Sequence, residues 1–295
     1  MGEHKIQGYP VETTTTNTEF MQFIQRHHAR EIPTLTNTET MRFTRAAYRF
    51  QLLSQLADPN DRDIRLWREE NGEAFFNILE PWERDELYSF YNFVEGIYEG
   101  VFIEVRHDLH PDHPRFDDQG RPPTPDGAFD LSDTNRHVYL EGTALRGLSL
   151  LHEVLFISKE HEDLVATMQR HITRSYDPFN GYNGMIHAIF GPELQDYRRQ
   201  EAPTERDRMQ EERAPLPFRG DDEPDAPPLG WTMIWGGTYS NLFGYYTGDS
   251  LLAVGYAFWD AASLEDIEGQ NVKELIKTLW KNEWGGEDPR EYLVN

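Results

Sequence analysis

The sequence predicts an all-α protein, a single irregular multi-helix domain with long acidic, proline-rich loops. Three observations carry that prediction. Apolar residues recur at helical spacing over several stretches. Those stretches begin and end at recognisable caps and prolines. Period-2 runs are few, and there is no internal repeat.

Residues 1–18 are polar and Thr-rich and read as a frayed tail before a helical domain over 19–290. Glu19 to Arg30 has Phe20, Phe23 and Ile24 on one side of a short helix that Pro33 ends. Thr36 with Glu39 three residues on forms a capping-box signature, and Met41, Ala47, Tyr48, Leu52 and Leu56 follow at helical spacing. That helix stops before Asp58-Pro59, because proline disfavours the helical conformation of its predecessor. Glu73 to Leu79 reads as a short helix, broken at Glu80-Pro81. Pro81 suits the first position of the next helix, where a missing N–H costs nothing. From Trp82 to about Arg106, Leu87, Phe90, Tyr91, Val94, Ile97, Tyr98, Val101, Phe102 and Val105 cover more than one face, which predicts a helix central to the core.

The first long loop, 107–136, holds five prolines. Helices resume near Val138 and run through Leu140, Leu145, Leu148, Leu151 and Leu155, then from Glu160 to Arg174. Residues 191–230 carry seven prolines, eleven acids and six Arg, a composition that predicts a disordered linker. Leu251, Leu252, Val254, Tyr256 and Phe258 suit a helix with irregular approaches, and a last helix is expected over Asn271 to Trp284.

Composition narrows the function classes. The chain has 295 residues, with 52 acidic against 28 basic side chains and a formal charge of −24. A field of that sign repels phosphate backbones and anionic headgroups, so neither nucleic acid nor membrane is an expected partner. Solubility is one use of such acidity and a basic protein partner another. Hydrophobic residues make up 38% and aromatics 13%, enough for a substantial core despite a mean hydropathy of −0.73. Absence of cysteine excludes disulfides, thiol nucleophiles and Cys-ligated metals. No secretory leader or membrane-length apolar run is evident, which points to the cytoplasm or nucleus.

Chemistry-bearing constellations are sparse. His107, His110 and His113 stand at spacing three with Asp108 and Asp112 between them, a set suited to a divalent metal. The same residues suit a polar helix end, where imidazole complements the dipole. Glu104 and His107 make a Glu-x-x-His step, but no second copy supports a di-iron bundle. Asp58 to Asp63 fails as a calcium loop, because Arg62 and Asp63 replace a ligand and a glycine. Nucleophile elbows, P-loops and dinucleotide fingerprints are missing, and Ser149 lies inside a Leu-rich helix. No catalytic residue and no cofactor is therefore assigned.

Trp231, Trp235, Tyr239 and Tyr245 belong to an aromatic, glycine-rich cluster. Such residues anchor interfaces, or they pack against the long helix after Trp82, with glycines permitting close approach. Trp82 and Trp259 read as packing keystones.

Three phrases point to a family. Tyr48-Arg49-Phe50-Gln51-Leu52, Pro81-Trp82-Glu83-Arg84-Asp85-Glu86-Leu87 and Gly255-Tyr256-Ala257-Phe258-Trp259-Asp260-Ala261-Ala262-Ser263-Leu264 occur in this order. The chain over residues 36 to 265 thereby resembles a large group of filamentous-fungal proteins, most of them uncharacterised. Some of that group carry an F-box near the N-terminus. The resemblance implies a helical part that recruits substrates to a ubiquitin ligase. This chain departs from it in residues 1–35, which lack the Leu-Pro-rich opening helix of an F-box.

The expectation is thus a non-catalytic protein–protein interaction module with an unidentified protein partner. The alternative is an enzyme whose site gathers dispersed Asp, Glu and His from several helices. A deep pocket with converging His and buried carboxylates would favour the enzyme, and a groove or apolar patch the module.

Overall fold

Thr36 and Glu39 open the first helix by exchanging hydrogen bonds. The Glu39 N–H donates to Thr36 Oγ1 at 3.1 Å and the Thr36 N–H to Glu39 Oε2 at 2.9 Å. The computed structural model describes residues 35–56, 73–106, 108–109, 133–173, 209, 212–237, 251–252, 255–261 and 263. Within them lie α1 (Asn37–Leu56), α2 (Glu73–Asn77), α3 (Pro81–Val105), α4 (Asp133–Ala144), α5 (Gly147–His152), a π-helical turn (Glu153–Ile157), α6 (His161–His171) and α7 (Leu229–Trp235). No strand occurs among the described residues, so the all-α expectation holds. The expected tail 1–18, the helices over 19–30 and 271–284, and Asp58 to Asp63 lie outside the described residues.

The core is built where α1 crosses α3. Phe43, Ala46, Ala47, Phe50 and Leu53 put one face of α1 inward, against Leu87, Phe90, Tyr91, Val94 and Tyr98 of α3. Phe90 meets Phe43 edge-on at 5.1 Å and Phe50 at 5.4 Å. Tyr139, Leu140, Leu150, Leu151, Leu164 and Met168 from α4 to α6 close the same core. Burying each such side chain contributes about 1.5–3 kcal/mol, so this cluster dominates the stability of the region from α1 to α6. At the start of α3, Pro81 takes the first helical position and the Glu80 N–H donates to Glu83 Oε2 at 2.9 Å.

The path after the first long loop differs from the sequence expectation. The helix begins at Asp133 rather than near Val138, and it breaks after Ala144. Gly147 has φ +79°, a backbone state that favours glycine, and a Cβ there would stand 2.7 Å from Gln51 Oε1. That same Gln51 oxygen accepts the Leu148 N–H at 2.8 Å and so starts α5. One turn later the helix widens, with the Ser158 N–H reaching back five residues to Glu153 O at 2.8 Å.

Two further expectations are corrected. Residues 212–228, read as part of a disordered linker, form an irregular strap placed against α1 and α3. Arg213 pairs with Glu80 at 3.1 Å, the Thr38 hydroxyl donates to Asp221 O, and the Leu216 N–H donates to Gly237 O at 2.7 Å. Composition missed this because the acids of the strap find cations and donors in distant segments. Residues 255–258 form a turn rather than a helix, with Gly255 at φ +64°. The turn packs with α7 into a second cluster of Trp82, Trp231, Ile234, Trp235, Leu251, Leu252, Tyr256 and Ala257.

Candidate functional site

Charged side chains are buried where this tryptophan-rich layer meets α1 and α3. Glu39 and Arg42 sit on the face of α1 that also carries Ala46 and Leu53, at spacings of three to four residues. Arg42 is fully buried and donates through Nη1 to Asp260 Oδ1 at 2.6 Å and to Phe258 O at 3.2 Å. Asp260, also fully buried, accepts the Thr36 hydroxyl, and its own N–H donates to Glu39 Oε1 at 2.9 Å. Burial pushes the Asp260 carboxyl up, against the opposing pull of Thr36 and Arg42.

One turn further along α1, Arg45 grips Glu86 of α3 with two bonds, 2.7 and 3.1 Å. The same guanidinium reaches the strap, donating to Asp225 at 2.8 Å and to Pro224 O at 3.1 Å. Burial opposes its charge, yet Glu86 prevails and the Arg45 pKa is raised. Arg49 holds Glu83 at 2.7 Å. Glu86 is completely buried, and burial pushes its carboxyl up to about 7 although Arg45 pulls the other way. Its neighbour Asp85 faces the other layer and accepts the Tyr256 hydroxyl at 2.5 Å. Burial raises Asp85 to about 7, Tyr256 and Arg84 oppose that rise, and Glu86 adds to it. The Trp235 indole N–H donates to Tyr256 Oη at 3.4 Å.

All three phrases that carry the fungal resemblance contribute to this seam. Arg49 comes from the first, Trp82, Glu83, Asp85 and Glu86 from the second, and Tyr256, Phe258 and Asp260 from the third. Their chemistry is internal clamping, because the acids point at cations, hydroxyls and backbone groups of the same chain. Sequence reasoning passed over Glu39, Arg42, Asp85, Glu86 and Asp260 as site residues. A signal for two of them was present, since Glu39 and Arg42 fall on the apolar side of α1.

The expected binding residues divide. Trp231 and Trp235 are each 1% exposed, and Trp231 packs edge-on against Trp82 at 5.4 Å. They are therefore interior residues of the second cluster, and their rings are not open to a partner. Tyr239 and Tyr245 lie outside the described residues. So do the expected metal candidates His107, His110 and His113. Beside them, Asp108 and Glu104 engage His161 of α6 at 2.9 and 3.4 Å, and those contacts raise the imidazole pKa. Among the described residues no three His, Asp or Glu side chains are arranged to hold a metal ion.

Two surface features remain. A cleft of about 640 Å³ between the π-helical turn and α6 is lined by Glu153, Ile157, Ser158, Asp163, Thr167 and Arg170, among others. Four of its polar side chains, Glu153, Ser158, Thr167 and Arg170, are tied to one another. Thr167 and Arg170 both donate to Glu153, at 3.2 and 3.0 Å, and the Ser158 and Thr167 hydroxyls are paired at 2.9 Å. No histidine lines it. On the outer side of α1, Met41, Tyr48 and Leu52 are 55%, 44% and 44% exposed. Their spacing of seven and four residues places them in one row along the helix.

Comparison with protein-family models, curated proteins and solved structures finds no match for this chain. No helix among the described residues is long and apolar enough to cross a membrane.

Proposed function

We propose that the protein is a non-catalytic protein–protein interaction module, acting in the cytoplasm or nucleus and related to fungal F-box substrate adaptors. The exposed row of Met41, Tyr48 and Leu52 on α1 carries this reading. An apolar side chain exposed singly is ordinary, whereas an aligned row on a helix whose other face anchors the core offers a rigid docking ridge. Arg45 and Arg49 flank the row but are engaged by Glu86 and Glu83, so the ridge itself presents apolar and neutral groups. The expected partner is a protein with a complementary apolar groove, and the chain's strong negative charge favours a basic rim around that groove.

The buried acids support the same reading. Asp85, Glu86 and Asp260 are buried and held by groups of their own chain. The cleft beside the π-helical turn brings together two carboxylates and one arginine, two of which are already paired.

The test is affinity purification of the tagged protein from its own organism, beside a variant carrying Met41→Glu, Tyr48→Glu and Leu52→Glu. The expected result is stoichiometric recovery of a cullin and its F-box-binding adaptor with the wild type. The variant, of unchanged far-UV circular dichroism, loses them. Recovery of the wild type alone sinks the interaction reading. Unrelated partners retained by both proteins sink the ligase assignment and the ridge together.

A further inference from the structure

Within the strap, Ala214-Pro215-Leu216-Pro217 is kept extended by covalent geometry. Each proline ring locks φ at about −65°, and each residue ahead of a proline is driven out of the helical region. The four residues therefore fall in the polyproline II range, and the structure gives them neither helix nor turn. That conformation repeats about every three residues, so 213, 216 and 219 share one edge, 214 and 217 a second, and 215 and 218 a third. Burial follows the repeat. Leu216 is half-buried and packs on the second cluster, whereas Ala214, Pro215 and Pro217 are exposed.

The inward edge is also the anchored one. The Leu216 N–H donates to Gly237 O at 2.7 Å, and a Cβ on Gly237 would stand 2.4 Å from Leu216 O. Arg213 pairs with Glu80 at 3.1 Å, and Asp221, Pro224 and Asp225 supply the remaining ties to α1 and the 255–260 turn. Both proline rings are left on the solvent side of a segment that is already fastened at either end.

This arrangement selects the kind of partner. Added β-strands need backbone N–H donors, but Pro215 and Pro217 have none and the Leu216 N–H is spent on Gly237. What the segment offers is flat apolar rings and carbonyl oxygens, which aromatic faces and indole or phenol donors match. We infer that Ala214 to Pro217 is a displayed recognition segment for a protein domain with a tryptophan- and tyrosine-lined, proline-binding groove, which takes Pro215 and Pro217 while Leu216 stays seated on the second cluster. Arg219 follows with its side chain 58% exposed and Glu223 no nearer than 3.8 Å, so an acid on the rim of that groove fits this end. Because the strap is held in its extended form before contact, little ordering is left to oppose binding. This surface shares no residue with the α1 ridge and does not depend on it.

The test uses isotope-labelled SH3, WW and EVH1 domains, each titrated with the full chain and followed by NMR through the indole signals of its groove. At least one domain is expected to bind, and Pro215→Ala with Pro217→Ala to weaken that binding about tenfold without altering near-UV circular dichroism. The Met41→Glu, Tyr48→Glu, Leu52→Glu variant is expected to bind as the wild type does. A peptide of residues 212–220 is expected to bind more weakly than the full chain, since it must be ordered on contact. Absence of shifts in every domain overturns the inference, as does equal binding by the double proline variant. Binding of the peptide but not of the full chain also overturns it, because the folded strap then hides the prolines. Should the double variant fail to fold, the peptide carrying both substitutions decides: weakened binding supports the inference and retained binding overturns it.

Discussion

The two clusters of this molecule are joined to α3 by different physics. Between residues 37 and 171, α1, α3, α4, α5 and α6 meet through Phe, Leu and Tyr side chains, and Phe90 touches both Phe43 and Phe50. The tryptophan-rich layer of α7 and the 255–260 turn shares an apolar interior with Trp82 of α3 and packs Phe258 on Phe43 of α1, and to these contacts it adds buried polar ties to both helices. Hydrophobic contact is non-directional and tolerates repacking, whereas a buried ion pair fixes position and fails badly when one member is lost. The first region is thus built for stability. The second is built to sit in one place, and its attachment is sensitive to single substitutions.

The largest expected effect comes from breaking the ionic attachment on one side. Arg42→Ala leaves the Asp260 carboxyl buried without its cation, and is expected to cost about 3–5 kcal/mol in denaturant unfolding. It should also expose the tryptophan-rich layer to protease before the rest. A smaller loss is expected from Gly230→Ala, since its Cβ meets the Tyr256 backbone and must push the turn away from α7. Overpacking of this kind costs about 1–3 kcal/mol, and the displacement should register as altered near-UV circular dichroism from Trp231 and Trp235.

The smallest effect concerns an exposed contact remote from both clusters. His161 titrates above the usual histidine range because Asp108 and Glu104 accept its ring N–H groups, so its contribution is present in acid and lost as pH rises through that raised value. Asp108→Asn should return the imidazole toward its ordinary range in an NMR titration and leave the unfolding midpoint nearly unmoved, because solvent screens the pair.

Much of the first region could be read from residue order, and little of the attachment could. The capping box at Thr36 and Glu39, the first-position Pro81 and the apolar run from Leu87 to Val105 are local signals, and each marks a helix in the structure. Gly147 was harder, because its positive φ and its contact with Gln51 join segments nearly a hundred residues apart. Arg42 and Asp260 are separated by 218 residues, and Asp85 and Tyr256 by 171, so no spacing rule pairs them. Burial of Trp231 and Trp235 was foreseeable as packing against the long helix, and Trp231 meets Trp82 edge-on while Trp235 lies in the same buried cluster. The strap shows the opposite failure. Its prolines and acids have the composition of disorder, but composition says nothing of Arg45 on α1, which meets Asp225, or of Glu80, which meets the strap's Arg213.

The central claim is that a buried ion pair clamps the tryptophan-rich layer to α1, and a double-mutant cycle tests it most directly. Arg42→Met, Asp260→Asn and the double variant would be compared with the wild type by equilibrium unfolding in urea. The account predicts that the double variant loses much less than the sum of the two singles, with a coupling of about 2 kcal/mol. Additive losses, agreeing within about 0.5 kcal/mol, would contradict it.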